Sequence, residues 1–279
     1  MIKACVIGWP IAHSRSPLIH NYWLRQNAIA GLYERIAVSP EDLKSFLHNL
    51  KNSPYVGCNV TIPHKQLALP AIDHLDESVI AIGALNTVYV RNGKTYATST
   101  DGEGFFQNLC TSHPSFDLSH KKITVLGAGG SAKAIIERLL RADVSEIALI
   151  NRTSERADEL KSQFGSRIKV TTPNQLHNEL RTTDVLINTT SQGMVGQPEL
   201  QIDLSALPKQ SIVADIVYVP LKTQLIRQAE NLGLRTVPGL GMLLHQAVVG
   251  FELWFGIRPK VTKEIYNIVA ADIDPDYKP

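Results

Sequence analysis

Apolar residues in the first hundred positions come in short runs broken by glycine and proline, with helically spaced stretches between them. Residues 4–7 form an apolar run ended by Gly8-Trp9-Pro10, as a buried strand ends. Residues 17–28 carry Leu18, Tyr22 and Leu24 at helical spacing after Ser16-Pro17. Proline suits a first helical turn and serine suits a cap, so a helix capped by Ser16 is predicted. A strand over 33–38, a helix over 40–50 and a strand over 55–61, stopped by Pro63, follow. Residues 87–98 alternate about Asn92-Gly93, a hairpin signal. A second series starts near 102. It reads as a strand over 122–126, a glycine-rich turn, a helix over 133–142, a strand over 146–150 and a helix over 155–164. Further strands are predicted at 168–171, 185–188 and 212–215, and a long apolar helix at 240–255. Strands alternating with helices predict α/β architecture on largely parallel sheets with right-handed crossovers.

The 279 residues fit about two domains at roughly 150 residues each. With 44% hydrophobic and 19% charged residues the chain is neither disordered, collagen-like nor a coiled coil. Its net charge of +2 gives no footprint for nucleic acid. No stretch supplies the ~18 uncharged apolar residues of a membrane span. The apolar run at the start is too short for the core of a signal peptide, so a cytoplasmic protein is expected. Cys5, Cys58 and Cys110 are odd in number and lack CxxC spacing, which signals neither disulfides nor zinc. Cys5 and Cys58 lie in strand-like runs and read as small core residues.

Gly127-x-Gly129-x-x-Ala132 lies between a predicted strand and a predicted helix, the context of a dinucleotide-binding turn. The first glycine allows the tight turn, the second a close approach to pyrophosphate, and Ala132 lets the helix pack near the sheet. An NAD site usually places a carboxylate roughly 20 residues on, at the end of the next strand. Here that strand ends in Asn151-Arg152-Thr153, with Arg156 one turn further. Guanidinium groups match a phosphate, so the sequence predicts NADP.

Four polar segments interrupt the first domain: 13–17, 59–65, 83–87 and 100–102. The first two follow predicted strands, where open α/β sheets bind ligands. Hydroxyls, an amide, Lys65 and Asp101 together suit a polyhydroxylated ligand. Taken singly, Ser14 and Ser16 could be caps, Lys65 a surface residue and Asp101 a turn residue. A lysine beside an aspartate can pass a proton to a carbonyl oxygen or take one from an alcohol. The nine histidines show no metal-ligand spacing, and no G-x-S-x-G elbow is present.

These segments, with 127–132, 151–153, 215–220 and 239–246, resemble the shikimate dehydrogenase family along nearly the whole chain. The resemblance implies two α/β domains with a cleft between them. The substrate domain would have a mainly parallel sheet and comprise 1–101 plus 240–279; 102–239 would form a Rossmann-like NADP domain. It implies reversible NADPH-dependent reduction of 3-dehydroshikimate to shikimate, on the route to aromatic amino acids. Lys65 would be the acid/base, tuned by Asp101. Ser14, Ser16, Thr61, Asn86, Tyr218 and Gln246 would bind shikimate, together with Asp101. Gly127, Ala128, Gly129, Gly130 and Ser131 would hold the pyrophosphate. Asn151, Arg152, Thr153 and Arg156 would hold the 2′-phosphate end, and Ile216 and Gly239 the nicotinamide side. Glu77 enters as a cofactor contact on resemblance alone, and Ile216 stands where Met or Leu is common. The small-molecule substrate would be the only ligand besides NADP, with no nucleic acid or membrane partner; a homodimer remains an open alternative. Two rivals are a quinate/shikimate enzyme using NAD as well, which should carry an acidic residue near Asn151, and a non-catalytic sensor, which should lack Lys65 or Asp101.

Overall fold

The N-terminal apolar run forms β1 (Ile2–Gly8), longer than its apolar centre because it pairs in parallel on both sides. The computed structural model describes all 279 residues. After β1 come α1 (Ser16–Gln26), β2 (Gly31–Ala37), α2 (Leu43–Asn49), β3 (Tyr55–Val60), the four-residue α3 (His64–Leu67), β4 (His74–Leu75), α4 (Glu77–Ile82), β5 (Thr87–Arg91), β6 (Lys94–Thr98) and α5 (Asp101–Ser112). The second series is β7 (Lys122–Leu126), α6 (Gly130–Arg141), β8 (Glu146–Ile150), α7 (Ser154–Phe164), β9 (Ile168–Thr171), α8 (Leu176–Leu180), β10 (Val185–Asn188), β11 (Ile212–Asp215), α9 (Gln224–Asn231) and β12 (Arg235–Val237). Two helices close the chain, α10 (Leu240–Phe255) and α11 (Lys263–Ile273). The chain divides into two units: Met1–Asp101 with Leu244–Val269, and Gly102–Leu243 with Ala270–Pro279. Residues 240–243 and 270–279, which the sequence reading groups with the first domain, thus fall in the second unit.

The first unit holds a six-stranded sheet in the order β2-β1-β3-β5-β6-β4. β1 pairs in parallel with β2 and β3, and β4 with β6, while β3–β5 and β5–β6 are antiparallel. The β5–β6 turn is the expected hairpin, with Asn92 and Gly93 both at positive φ. Cys5 and Cys58 sit opposite each other on β1 and β3 and are fully buried in the core. α10 seats Phe251 and Trp254 against His20, Trp23 and Tyr33, and the Trp254 indole donates to the Val88 carbonyl at 2.9 Å. Burying side chains of this size contributes roughly 1.5–3 kcal/mol each.

The second unit's sheet is wholly parallel, in the order β12-β11-β10-β7-β8-β9. Alternate strand residues reach opposite faces and both faces are apolar, as a doubly covered parallel sheet requires. Ile123, Val125, Val185, Ile187, Ile212 and Ala214 pack with α6 and α7, while Leu126, Leu186 and Val213 pack with α8 and α9. Strand order reverses between β7 and β10, the switch point where such sheets bind ligands beyond their carboxyl ends.

Two expectations change in detail. Ser16 is the first residue inside α1, after Arg15, and makes no cap; its side chain is buried, which takes it away from the helix's leading N–H groups. α6 starts at Gly130, three residues before the predicted helix, because Gly130 itself opens its first turn.

Candidate active site

In the first unit the carboxyl ends of β1 and β3 are tied together: Thr61 N–H donates to Ile7 O at 3.0 Å and Trp9 N–H to Ile62 O at 3.1 Å. Beyond that end stands α3, too short to show a helical period. Its position is fixed by His64, which is fully buried with Nε2 2.8 Å from Val38 O. The next residue, Lys65, is thereby aimed at Asp101, the first residue of α5, and the two form an ion pair through Lys65 Nζ and Asp101 Oδ2. Their side chains are 32% and 17% exposed, so the pair is reachable from solvent yet partly desolvated.

The other carboxylate oxygen, Asp101 Oδ1, accepts from Asn86 Nδ2 at 2.8 Å. Asn86 also donates to Thr100 Oγ1 at 3.0 Å and accepts the Thr100 N–H at 2.9 Å. Thr100 Oγ1 in turn reaches Gln246 Oε1 on α10 at 3.4 Å. Behind Asn86 lie Thr87, Asn59 and Tyr33, all buried; Tyr33 Oη donates to Asn59 Oδ1 at 2.5 Å. Burial above all, with Cys5 and Cys58 beside it, pushes the Tyr33 phenol well above its ordinary range, so it keeps its proton. Ser14 and Ser16 bond to each other at 3.3 Å, and Arg35 Nε holds the Ser14 carbonyl at 2.8 Å.

In the second unit the glycine turn follows β7. Gly127 has φ +104°, and a Cβ there would stand 2.7 Å from Thr189 Oγ1. Its N–H donates to Ile150 O at 2.8 Å, closing the turn onto β8. At Gly129 and Gly130 a Cβ would meet nothing within 4 Å; this open cradle sits at the head of the twelve-residue α6. The leading N–H groups there have no partner within the helix, and no acidic residue lies in the first turn. Ala128 and Ala132 are buried and Ser131 half-buried. At the end of β8, Asn151 Nδ2 donates to Thr153 O at 2.7 Å, and Arg152, Thr153 and Arg156 are exposed. Neither guanidinium is held in an ion pair. An open cradle for a pyrophosphate, with two uncommitted guanidinium groups and no carboxylate at the strand end, fits an adenine dinucleotide carrying a 2′-phosphate.

Ile216 and Gly239 are neighbours: a Cβ on Gly239 would lie 2.5 Å from the Ile216 carbonyl oxygen. Asp215, at the end of β11, accepts from Thr223 Oγ1 at 2.7 Å and from Val217 N and Asn188 Nδ2 at 3.0 Å. Burial nonetheless raises its carboxyl above the ordinary value. Asn188 Oδ1 receives Thr190 in turn, so this network pins the loops after β10 and β11 beside the turn.

The residues anticipated from sequence therefore fall into distinct sets. Lys65, Asp101, Asn86 and Gln246 are joined directly or through Thr100; Ser14 and Thr61 lie on loops of the same unit and Ser16 opens α1. Tyr218 lies in the second unit, on the loop after β11, and Glu77 is an exposed residue in the first turn of α4 in the first unit. Thr100, Thr87 and Asn59 lie in polar segments that the sequence reading singles out but are given no role of their own there; Asn188 and Thr189, polar residues at the end of the apolar β10 and just after it, are missed altogether. No helix is long and apolar enough to cross a membrane.

Three family models match the chain: Shikimate dehydrogenase substrate binding domain over residues 6–88, Shikimate / quinate 5-dehydrogenase over 110–237, and Shikimate 5'-dehydrogenase C-terminal domain over 239–263. The chain is 53% identical over 272 residues to Shikimate dehydrogenase (NADP(+)) of Rhodopseudomonas palustris strain TIE-1, covering 98% of this chain and 97% of that protein. With the protein of the same name from Brucella abortus strain S19 it shares 46% over 274 residues, 97% of this chain and 94% of the relative. Among solved structures it is similar to shikimate 5-dehydrogenase from Thermus thermophilus in complex with NADP(H) and shikimate, with TM-score 0.85 and 30% identity over 98% of this chain and 100% of that one. It is also similar to quinate dehydrogenase from Corynebacterium glutamicum in complex with NAD, with TM-score 0.89 and 29% identity over 97% and 99% of the two chains.

Proposed function

Because the chain belongs to the shikimate dehydrogenase family, we propose that it catalyses the reversible NADPH-dependent reduction of 3-dehydroshikimate to shikimate. The observation that carries this reading is the Lys65–Asp101 pair, half-open to solvent at the ends of β1 and β3 and backed by Asn86. A polyhydroxylated ring acid needs many short-range donors and acceptors. Ser14, Ser16, Thr61, Asn86, Asp101 and Gln246 of the first unit would supply them, and Tyr218 is carried as a further substrate contact on the family resemblance alone.

NADPH, when bound, would supply a hydride for the ring carbonyl carbon. The chain's own task is the proton. In the reducing direction Lys65 as an ammonium donates to the oxygen that gains negative charge at the carbonyl; in the oxidising direction the neutral amine takes the hydroxyl proton. Asp101 keeps Nζ aimed and stabilises its charged form, and Asn86 keeps the carboxylate from turning. A positioned group of this kind contributes about 10²–10⁴ in rate.

Gly127 to Ser131 would hold the pyrophosphate on the helix end, and Asn151, Arg152, Thr153 and Arg156 the 2′-phosphate. Ile216 and Gly239 would flank the nicotinamide, with Glu77 a further cofactor contact. In this reading the first unit binds substrate and the second binds NADP. A cytoplasmic location goes with this reading; sedimentation of the purified protein decides between a monomer and a homodimer. The likeness to an NAD-bound quinate dehydrogenase raises a second reading, dual use of quinate and NAD. The guanidinium groups after β8, in place of a carboxylate, favour NADP.

The test crosses shikimate and quinate with NADP and NAD, following absorbance of the reduced nicotinamide. Turnover is expected with shikimate and NADP. Lys65→Ala should lower kcat by about 10²–10⁴ while shikimate still binds. Turnover near wild type in that variant ends the acid/base assignment.

A further inference from the structure

The buried hydrogen bonds behind Asp101 run in one direction. Tyr33 Oη–H donates to Asn59 Oδ1 at 2.5 Å, which turns the Asn59 amide nitrogen the other way. Asn59 Nδ2 then donates to Thr87 Oγ1 and to the Asn86 carbonyl, both at 3.1 Å. Thr87 Oγ1, having accepted, donates to Asn86 Oδ1 at 3.1 Å. Asn86 Nδ2 donates to Asp101 Oδ1 at 2.8 Å, and Lys65 Nζ occupies Asp101 Oδ2. Each link from Tyr33 onward points its proton toward the carboxylate. Tyr33, Asn59, Thr87 and Asn86 are all buried, so the bonds act in a low dielectric and polarise one another.

We propose that Tyr33, Asn59 and Thr87 are positioning residues of the proton-transfer pair: as one directional donor chain they strengthen the Asn86 bond to Asp101 and thereby limit how firmly that carboxylate holds the Lys65 ammonium. None of the three needs to touch substrate. The proposal rests on the reading of Lys65 as the acid/base.

Other titratable groups face this chain from the packed elements. His20 on α1 stacks on Tyr33 with ring centroids 4.1 Å apart. Burial holds its pKa down at about 3, so it is neutral throughout an activity assay. Cys5 on β1 and Cys58 on β3 lie beside the phenol; a bond from Cys58 and burial push the Cys5 thiol well up. Arg35 on β2 is turned to the Ser14 carbonyl.

The experiment measures shikimate oxidation against pH for wild type, Tyr33→Phe and Thr87→Val. Each substitution nearly keeps the side chain's shape: Tyr33→Phe removes one donor, and Thr87→Val removes one donor together with one of the two acceptors of Asn59 Nδ2, which keeps its bond to the Asn86 carbonyl. With less donation the carboxylate favours the ammonium more, so more alkali is needed to free the amine. In both variants kcat is expected to fall about three- to tenfold, with KM for shikimate within about twofold of wild type. The acidic limb of the profile should move to higher pH by about half a unit. A merely structural role would lower the active fraction equally at every pH. A limb that stays in place, or a loss carried by KM, therefore overturns the proposal. If Tyr33→Phe does not fold, the limb of Thr87→Val decides the question alone. Wild-type protein inert toward shikimate would instead overturn the functional reading, and this inference with it; an active wild type with unmoved limbs leaves that reading standing.

Discussion

Replacing His20 by phenylalanine should remove a pH dependence of stability that the imidazole imposes on the first unit. The ring is fully buried, stacked on Tyr33 and 5.8 Å from the Trp23 centroid, and neither nitrogen has a hydrogen-bond partner. Burial lowers its pKa from 6.5 to about 3. The unfolded chain takes up a proton near 6.5 that the folded chain refuses, so stability declines as pH falls from 6.5 toward 3 and is retained above it. The slope approaches about 1.4 kcal/mol per pH unit, so between pH 7 and pH 5 His20 alone should remove roughly 2 kcal/mol. Phenylalanine is somewhat larger and shifts stability by a constant amount at both pH values, which the comparison cancels. Urea unfolding followed by tryptophan fluorescence suits the purpose, because Trp9, Trp23 and Trp254 all lie in the first unit. Wild type should lose roughly 2 kcal/mol more than His20→Phe over that interval. Parallel losses in the two proteins would refute a neutral, desolvated imidazole.

Arg152→Ala should weaken NADP about ten- to hundredfold and leave NAD nearly unchanged, measured by fluorescence titration; equal losses would count against the 2′-phosphate assignment. Gly127→Ala, with φ +104° and Thr189 Oγ1 in the way, should lower stability by about 1–3 kcal/mol and abolish tight dinucleotide binding, read by a thermal shift with and without NADP. Arg138 Nε lies 2.6 Å from Glu103 Oε2. Burial alone would raise the Glu103 carboxyl, but its bonds to Arg138 and Gln107 outweigh this and hold it below 4.5. That contribution is present above pH 4.5 and lost as pH falls through the lowered value. Arg138→Met should thus cost about 1 kcal/mol at pH 7, after discounting for solvent, and less in acid, by urea unfolding at pH 7 and pH 4.

The parts of the molecule legible in the sequence are those set by local rules. The glycine turn, the Asn92-Gly93 hairpin and the alternation of strand and helix follow from backbone geometry within a few residues. The short α3 is not legible, because four residues show no period and its place depends on His64 reaching Val38, 26 positions away. Ser16 has the local pattern of a cap, and tertiary burial overrides it. Tyr33 gives no chemical signal, and Asn59 only its membership of the polar segment 59–65. A tyrosine on a strand reads as β propensity, and only the pairing of β1 with both β2 and β3 brings the two together. Residue type alone suggests Lys65 with Asp101; their meeting depends on α3 and the head of α5, which no local pattern places.

The first unit takes in residues 244–269 after some 140 residues that belong to the other. At about 5–20 residues per second, a ribosome needs roughly 7–28 s to synthesise that interval. Throughout it His20, Trp23 and Tyr33 are without the Phe251 and Trp254 that cover them in the finished fold. The sheet of the second unit, whose last strand ends at Val237, can therefore form first, while the earlier-made sheet waits with its aromatic side chains uncovered. A chain ending at residue 101 would lack that cover.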